Sequence, residues 1–447
     1  MKLAVVLVPA LLGGLSISAH ADDGAAAPVA ALLANPTQLA AWLSDRDPMI
    51  ESSRARVDAA HEATEQARVL PNPQLTFSAG GFVVGQTNAD NGMSAMSHQP
   101  LSLGQTTNFE LGLGELIELG KRGPRKDAAD TRARAAGATA IGALGDRLGD
   151  ATAALGKLTY AIVKRDVASA NLDAAKKLRD NEKIRLDNKD LSPLEYGRIE
   201  LDTEELELQL GRAEAELASS LATCGAMLYA SCAAPGLDSA TLDAGAPLPP
   251  ALPDPDAAIE QRPKLVAQKL EVQALGFDAA LASARKLPDP TIGVGYTLDN
   301  LTIAGNQHQS LLFSIGIPLP FFDRGDHDAA AARANARALA AEDKAAVREA
   351  HGVVEALLAQ HTTLVTTLQR LESDSVPKSS LIIVQTQRAF DLGQARLADL
   401  LLVERAHRDL LLEVLDTRFD LFTVRAQLRQ ALGLDDEVAR NATGRHS

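Results

Sequence analysis

The chain has 447 residues, enough for two or three ordinary domains, with 44 Lys plus Arg against 58 Asp plus Glu and a formal net charge of −14. That balance argues against nucleic acid as a partner, because a phosphate backbone is held by a positive surface. It suits a chain exposed to periplasmic or extracellular solvent.

Lys2, the apolar run 4–15 and Ala19-His20-Ala21 have the form of a secretory signal peptide over residues 1–21, with a mature chain expected from Asp22. No Cys follows that site, which argues against a lipid anchor there. No other apolar run reaches about 18 residues, so no later segment is expected to cross a bilayer as a helix. After a poorly patterned lead, Asn35-Pro36-Thr37 offers a helix start and 39–70 reads as one helix, stopped by Leu70-Pro71-Asn72-Pro73. Leu75, Phe77 and Ala79 then alternate with Gln74, Thr76 and Ser78, the period of a strand. In the connection that follows, Met93, Met96 and His98 are soft enough to meet Cu(I), although a loop that merely contains them is the simpler reading.

A second strand carries Phe109, Leu111 and Leu113 on one face and Glu110, Gly112 and Gly114 on the other. It runs through Gly120-Lys121-Arg122-Gly123-Pro124 into an Ala-dominated stretch, 125–188, that predicts a helix about 95 Å long. Leu191-Ser192-Pro193 breaks that helix and 194–228 returns, making a helical hairpin with its tip near Asp190. Cys224 and Cys232, eight apart in an exported chain, are a candidate disulfide; two free thiols at a helix end are the alternative. The Pro-rich stretch 231–255 reads as a linker.

Every landmark then recurs about 200–220 residues later. A helix over 259–286 ends at Leu287-Pro288-Asp289-Pro290, and Ile292, Val294, Tyr296 and Leu298 alternate with Thr and Gly. Phe313, Ile315 and Ile317 form the fourth strand, Asp323-Arg324-Gly325 turns it, and 326–390 and 397–432 read as the second hairpin, with Gly433 as its stop. The chain therefore divides into a first repeat, 22–240, and a second, 241–447, each a helix, a β-hairpin and a long helical hairpin. Among other candidate chemistry, Asp323, Asp326, His327 and Asp328 cluster at the second strand-to-helix turn, where Asp326 as N-cap explains them without a metal. His351 and His361 stand ten apart with no metal-ligand motif, and no phosphate loop, nucleophile elbow or acid pair stands out. No enzymatic activity, metal site or cofactor is expected. Lys121, Arg122 and Arg324 are either surface charge or contacts to anionic lipid headgroups.

Four strands cannot close a membrane barrel, which begins at about eight, and hydrocarbon does not tolerate open edges. Three copies would give twelve strands. The expected fold is a membrane β-barrel continued by a long α-helical barrel, closed only as a homotrimer. Leu75, Phe77, Phe109, Leu111, Ile292, Val294, Phe313 and Ile315 would face lipid, and the Gly, Ser and Thr faces would line water.

The order of these parts, the two Leu-Pro-Asx-Pro turns, and Phe390-Asp391-Leu392-Gly393 leading to Leu397-Ala398-Asp399-Leu400-Leu401 resemble the outer-membrane efflux (TolC) family over essentially the whole mature chain. Glu118-Leu119-Gly120-Lys121-Arg122 is similar to its heavy-metal (cobalt-zinc-cadmium) branch. The resemblance implies a passive trimeric duct that works with a periplasmic adaptor protein and an inner-membrane pump of the resistance-nodulation-division type. It also implies a pore gate at Asp399, with Leu402 where relatives often carry a second acid, and adaptor-docking tips at Leu392 and Gly393 and at Asp190 and Leu191. A drug or organic-solute outlet is the neighbouring reading, and an exported helical scaffold without a pore is one of a different class.

Overall fold

The computed structural model describes residues 27–81, 107–232, 236–300 and 307–443. The signal peptide and Met93, Met96 and His98 lie outside them. Three helices open the described chain, α1 (Val29–Ala34), α2 (Pro36–Arg46) and α3 (Pro48–Arg68), where the sequence predicts one from residue 39. The break is chemical: Asp47 accepts a hydrogen bond from the Met49 N–H at 2.8 Å as a new N-cap, and Pro48 has no N–H to continue the preceding turn.

Strands β1 (Gln74–Gly80) and β2 (Asn108–Leu116) lead into α4 (Arg122–Asp187), whose 66 residues span about 100 Å. The helix starts three residues before the expected point because Gly123 and Pro124 sit in its first turn, where a missing N–H costs nothing. α5 (Pro193–Leu228) returns alongside, opened by a capping box between Ser192 and Glu195. Cys224 and Cys232 are joined by a disulfide with Cα atoms 6.1 Å apart. The stretch read as a linker is packed instead: α6 (Ser239–Ala244) is capped by Asp238, and Leu242 and Ala246 are buried in the main core. Leu237, Leu242 and Ala246 pin its described part, 236–255, to that core.

α7 (Pro255–Glu260) and α8 (Pro263–Ser283) precede β3 (Thr291–Asp299) and β4 (Gln309–Gly316). The second long helix is not continuous. α9 (Asp326–Arg370) passes through a five-residue π turn, Leu371–Ser375, before α10 (Val376–Asp391), because Pro377 lacks the N–H that regular α pairing would use. α11 (Leu397–Ala431) returns, Gly433 takes φ +68° as its stop, and α12 (Leu434–Thr443), absent from the sequence reading, folds back onto α4.

The four strands form one antiparallel sheet in chain order, so β2 and β3 join the two halves and β1 and β4 are its edges. The main core lies midway along the helices, where α1, α2, α6 and the second half of α11 pack on α4. Gly156 makes this approach possible: a Cβ there would lie 1.9 Å from the Phe422 ring.

Candidate conduit and gate

The strand register decides which side chains share a face. Leu75, Leu113, Val294 and Phe313 form one row, Phe77, Leu111, Tyr296 and Leu311 the next, and Ile292 pairs with Ile315. With Phe109, all eight residues expected to meet lipid therefore lie on one side of the sheet. Leu75, Phe77, Phe313 and Ile315 are 69–78% exposed in the protomer, an apolar surface that a soluble monomer would not leave open. Phe77 and Phe109 stack at 6.2 Å on it. The other face carries Thr76, Ser78, Glu110, Gly112, Gly114, Gly293, Gly295, Thr297 and Ser314. Leu312 and Leu116 also lie on it, so this face is mostly small and polar rather than uniformly so.

At the first strand-to-helix junction, the Glu118–Arg122 motif turns out to be structural. Glu118 takes a two-pronged ion pair from Arg125, one prong at 2.8 Å. Arg125 also donates to Ala67 O at 3.1 Å, and Arg122 to Arg68 O at 2.8 Å, so the two arginines satisfy carbonyls left open at the end of α3. Lys121 Nζ lies 2.6 Å from Asp289 Oδ2, and the Leu119 N–H donates to Asp289 Oδ1 at 2.9 Å. Burial works against the Asp289 charge, yet the lysine and the backbone donor hold its carboxyl below the usual range. The motif thus ties both hairpins together, with Glu118 engaged by Arg125, Lys121 by Asp289 and Arg122 by the Arg68 carbonyl.

The second junction is built differently. Gly325, at φ +71°, is the N-cap of α9 rather than Asp326; a Cβ there would strike Ala282 O at 2.1 Å, so only glycine fits. Asp323 accepts from the Gly325 N–H at 2.9 Å, Asp326 pairs with Lys286 at 2.8 Å, and Asp328 pairs with Arg285. The acids grouped there in sequence are engaged with the chain, and among the described residues no cluster of three or more His, Cys, Asp or Glu could hold a metal.

At the opposite end, the two hairpin tips pack on each other through Leu191, Tyr196, Ile199, Phe390, Leu397 and Leu400. Each tip turns on a left-handed residue, Lys189 at φ +65° in the first and Gly393 at φ +70° in the second. Asp190, Leu392 and Gly393 are exposed, but Leu191 is buried in this cluster, so its side chain is closed to a partner. Exposed Asp399 accepts a hydrogen bond from the Arg396 N–H at 3.2 Å. Glu195 does the same for Ser192 at 3.2 Å while the Ser192 hydroxyl donates to it at 2.8 Å; those bonds hold the Glu195 carboxyl below its usual range. Asp399 and Glu195 occupy the same position, third in the helix that leaves each tip.

Residues 255–434 match the outer membrane efflux protein family. Members of that family are passive channels, not enzymes. Among solved structures, CusC superposes with a TM-score of 0.74 at 14% identity, covering 89% of this chain and 91% of that one. The outer membrane protein VceC of Vibrio cholerae gives 0.70 at 17%, covering 89% and 96%. The Campylobacter jejuni CmeC outer membrane channel gives 0.70 at 14%, covering 97% and 93%. At these identities the likeness speaks for the fold alone, a small antiparallel β domain continued by long helical hairpins as in those channels. No curated protein matches the chain.

The wall between junction and tip is held by charge as well as packing. Arg408 makes a two-pronged pair with Asp202 at 2.9 and 3.1 Å, and Arg405 pairs with Glu205, so α11 is strapped to α5. Beside them burial pushes the Glu404 carboxyl up, with Arg408 opposing and Asp202 adding to the shift. Sequence reasoning missed Glu195 because it followed the Leu-Gly-x-x-x-Leu-Ala-Asp pattern of the second tip alone. The Ser-x-x-Glu capping box of the first tip was the available signal.

Proposed function

We propose that this chain is one protomer of a homotrimeric outer-membrane exit duct, the passive last component of a tripartite efflux system. Three four-stranded sheets would join edge to edge, β4 of one copy to β1 of the next, into a twelve-stranded barrel whose apolar rows meet lipid. The observation that carries this reading is the sheet itself: four strands, two free edges, one apolar face and one polar face, continuous with helices about 100 Å long. The two repeats, 22–240 and 241–447, would contribute equivalent hairpins to the helical wall. Asp190, Leu392 and Gly393 would meet a periplasmic adaptor, and the adaptor an inner-membrane pump of the resistance-nodulation-division type.

At the tips, three copies of Asp399 and three of Glu195 would gather six carboxylates around the axis, a ring that concentrates cations. Metal cations are the cargo class this ring and the Glu118–Arg122 resemblance favour. The test is conductance in planar bilayers. Wild-type trimers should show cation-selective current blocked by divalent or larger cations, and D399N/E195Q should lose most of that block while keeping both hydrogen bonds. A protein that runs as a soluble monomer would sink the duct, and block unchanged in the double variant would sink the gate. A deletion strain sensitive to dyes but not to zinc, cobalt, cadmium or copper would reject metal cargo.

A further inference from the structure

Beyond β4 the chain leaves the sheet through Ile317-Pro318-Leu319-Pro320-Phe321-Phe322. Two prolines keep this segment out of both ladder and helix. Phe322 is fully exposed and Phe321, Leu319 and Ile317 are 69%, 64% and 55% exposed, an apolar surface that continues the Phe313 and Ile315 row past the end of the strand. It borders a recess of about 390 Å3 lined by Lys286, Leu319, Pro320, Phe321, Arg324 and Asp326. The recess holds charges of both signs. Lys286 and Asp326 pair at 2.8 Å with each side chain more than half exposed, so water already competes for the pair. Arg324 donates from Nε to Pro320 O at 3.3 Å and makes no ion pair among the described residues. Asp323 is turned onto the Gly325 N–H.

A ligand matched to this surface has an anionic group for Arg324 and Lys286, a neighbouring N–H-bearing cation for Asp326, and an apolar tail for Leu319 and Phe321. We propose that the recess is a headgroup site for a phospholipid carrying phosphoethanolamine. The phosphate oxygens accept hydrogen bonds from Arg324 and Lys286, and the primary ammonium donates to Asp326. Phe321 and Phe322 sit at the bilayer surface, where large amphipathic or apolar rings anchor membrane barrels. An acyl chain that runs up the apolar face of β4 brings its headgroup to this level, so the site continues the lipid-facing wall. The inference rests on the outer-membrane reading above.

The test uses full-length trimers, stripped of lipid in mild detergent and offered equal phosphatidylethanolamine, phosphatidylcholine and phosphatidylglycerol in vesicles, with retained lipid counted by native mass spectrometry. Wild type should keep phosphatidylethanolamine at least threefold over the other two. R324Q should lose retention of all three, and D326N should lose only the preference for phosphatidylethanolamine over phosphatidylglycerol. Equal retention by wild type, or an unchanged preference in both variants, overturns the site. Displacement by millimolar inorganic phosphate without preference among lipids assigns a free-anion site and overturns it too. If F322S loses the trimer while lipid retention stays intact, the segment is a contact between copies and the proposal fails. Wild-type protein that neither trimerises nor inserts overturns both readings, and this shows before any lipid is counted.

Discussion

Gly156→Ala adds one methyl group at the tightest helix crossing of the core. The new Cβ would lie 1.9, 2.4 and 2.7 Å from Phe422 Cε1, Cζ and Cδ1, so contact at about 3.4 Å requires a displacement of about 1.5 Å. The ring cannot retreat. Phe422 is 1% exposed, and on its far side a Cβ at Gly245 would stand 2.7 Å from its Cε2 and 3.2 Å from Leu33 Cγ. Overpacking of this kind costs about 1–3 kcal/mol, and with backbone on both sides of the ring the upper end applies. Alanine returns about 1 kcal/mol of helix propensity, leaving a net loss of about 2 kcal/mol. Gly211→Ala on α5, with nothing within 4 Å of its Cβ, feels the propensity gain alone and should stabilise by up to about 1 kcal/mol. Thermal unfolding of the purified protein, followed by circular dichroism, should rank Gly211→Ala above wild type and Gly156→Ala below it. Adding Phe422→Leu, which removes the ring edge, should recover part of the Gly156→Ala loss. Equal midpoints for the two glycine variants would refute the packing argument.

Burial pushes the Asp436 carboxyl up to about 6, with Arg262 opposing and Asp146 adding to the shift. Below about 3.8 the group is protonated in both states. Between 3.8 and 6 the folded state holds the proton more tightly, so stability falls as pH rises through that window. Asp436→Asn should therefore stabilise the protein at pH 7.5 but not at pH 3.5, by up to about 3 kcal/mol for a pKa raised from 3.8 to about 6, read as a higher unfolding temperature; a gain of the same size at both pH values would exclude titration as the cause. Cys224→Ser/Cys232→Ser opens a loop of about nine residues, for which chain entropy predicts a loss of about 2.5 kcal/mol. Cys224 is fully buried, so intact protein should need denaturant as well as reductant to reach the double variant's midpoint. Rapid reduction in the native state would show that the helix end opens on its own.

Much of the architecture was legible because it rests on short-range chemistry. Period-two alternation placed all four strands, Leu70-Pro71-Asn72-Pro73 and Leu287-Pro288-Asp289-Pro290 marked the ends of two helices, and Leu191-Ser192-Pro193 placed the first tip. Breaks that depend on one capping residue were less legible. Asp47 ends one helix and begins another by accepting a single N–H, and the turn at Leu371–Ser375 answers a proline that sequence reading allowed to pass. The proposed gate divides in the same way. Asp399 is singled out by a motif, whereas Glu195 stands as its counterpart only when both are seen third in a helix leaving a tip.

The sequence by itself determined the alternation of strand pairs with long helical hairpins, the two-faced strands and the insufficiency of four strands, since each follows from periodicity and from the backbone's need for partners. Only the tertiary structure decided where charges end up. It turned Glu118, Lys121 and Arg122 into a clamp on α3 and Asp289, buried Leu191 between the tips, drew the Pro-rich stretch into the core, and left Arg324 beside exposed phenylalanines. Ion pairing and burial are set by residues tens to hundreds of positions apart, and their distances exist only after the long helices have packed.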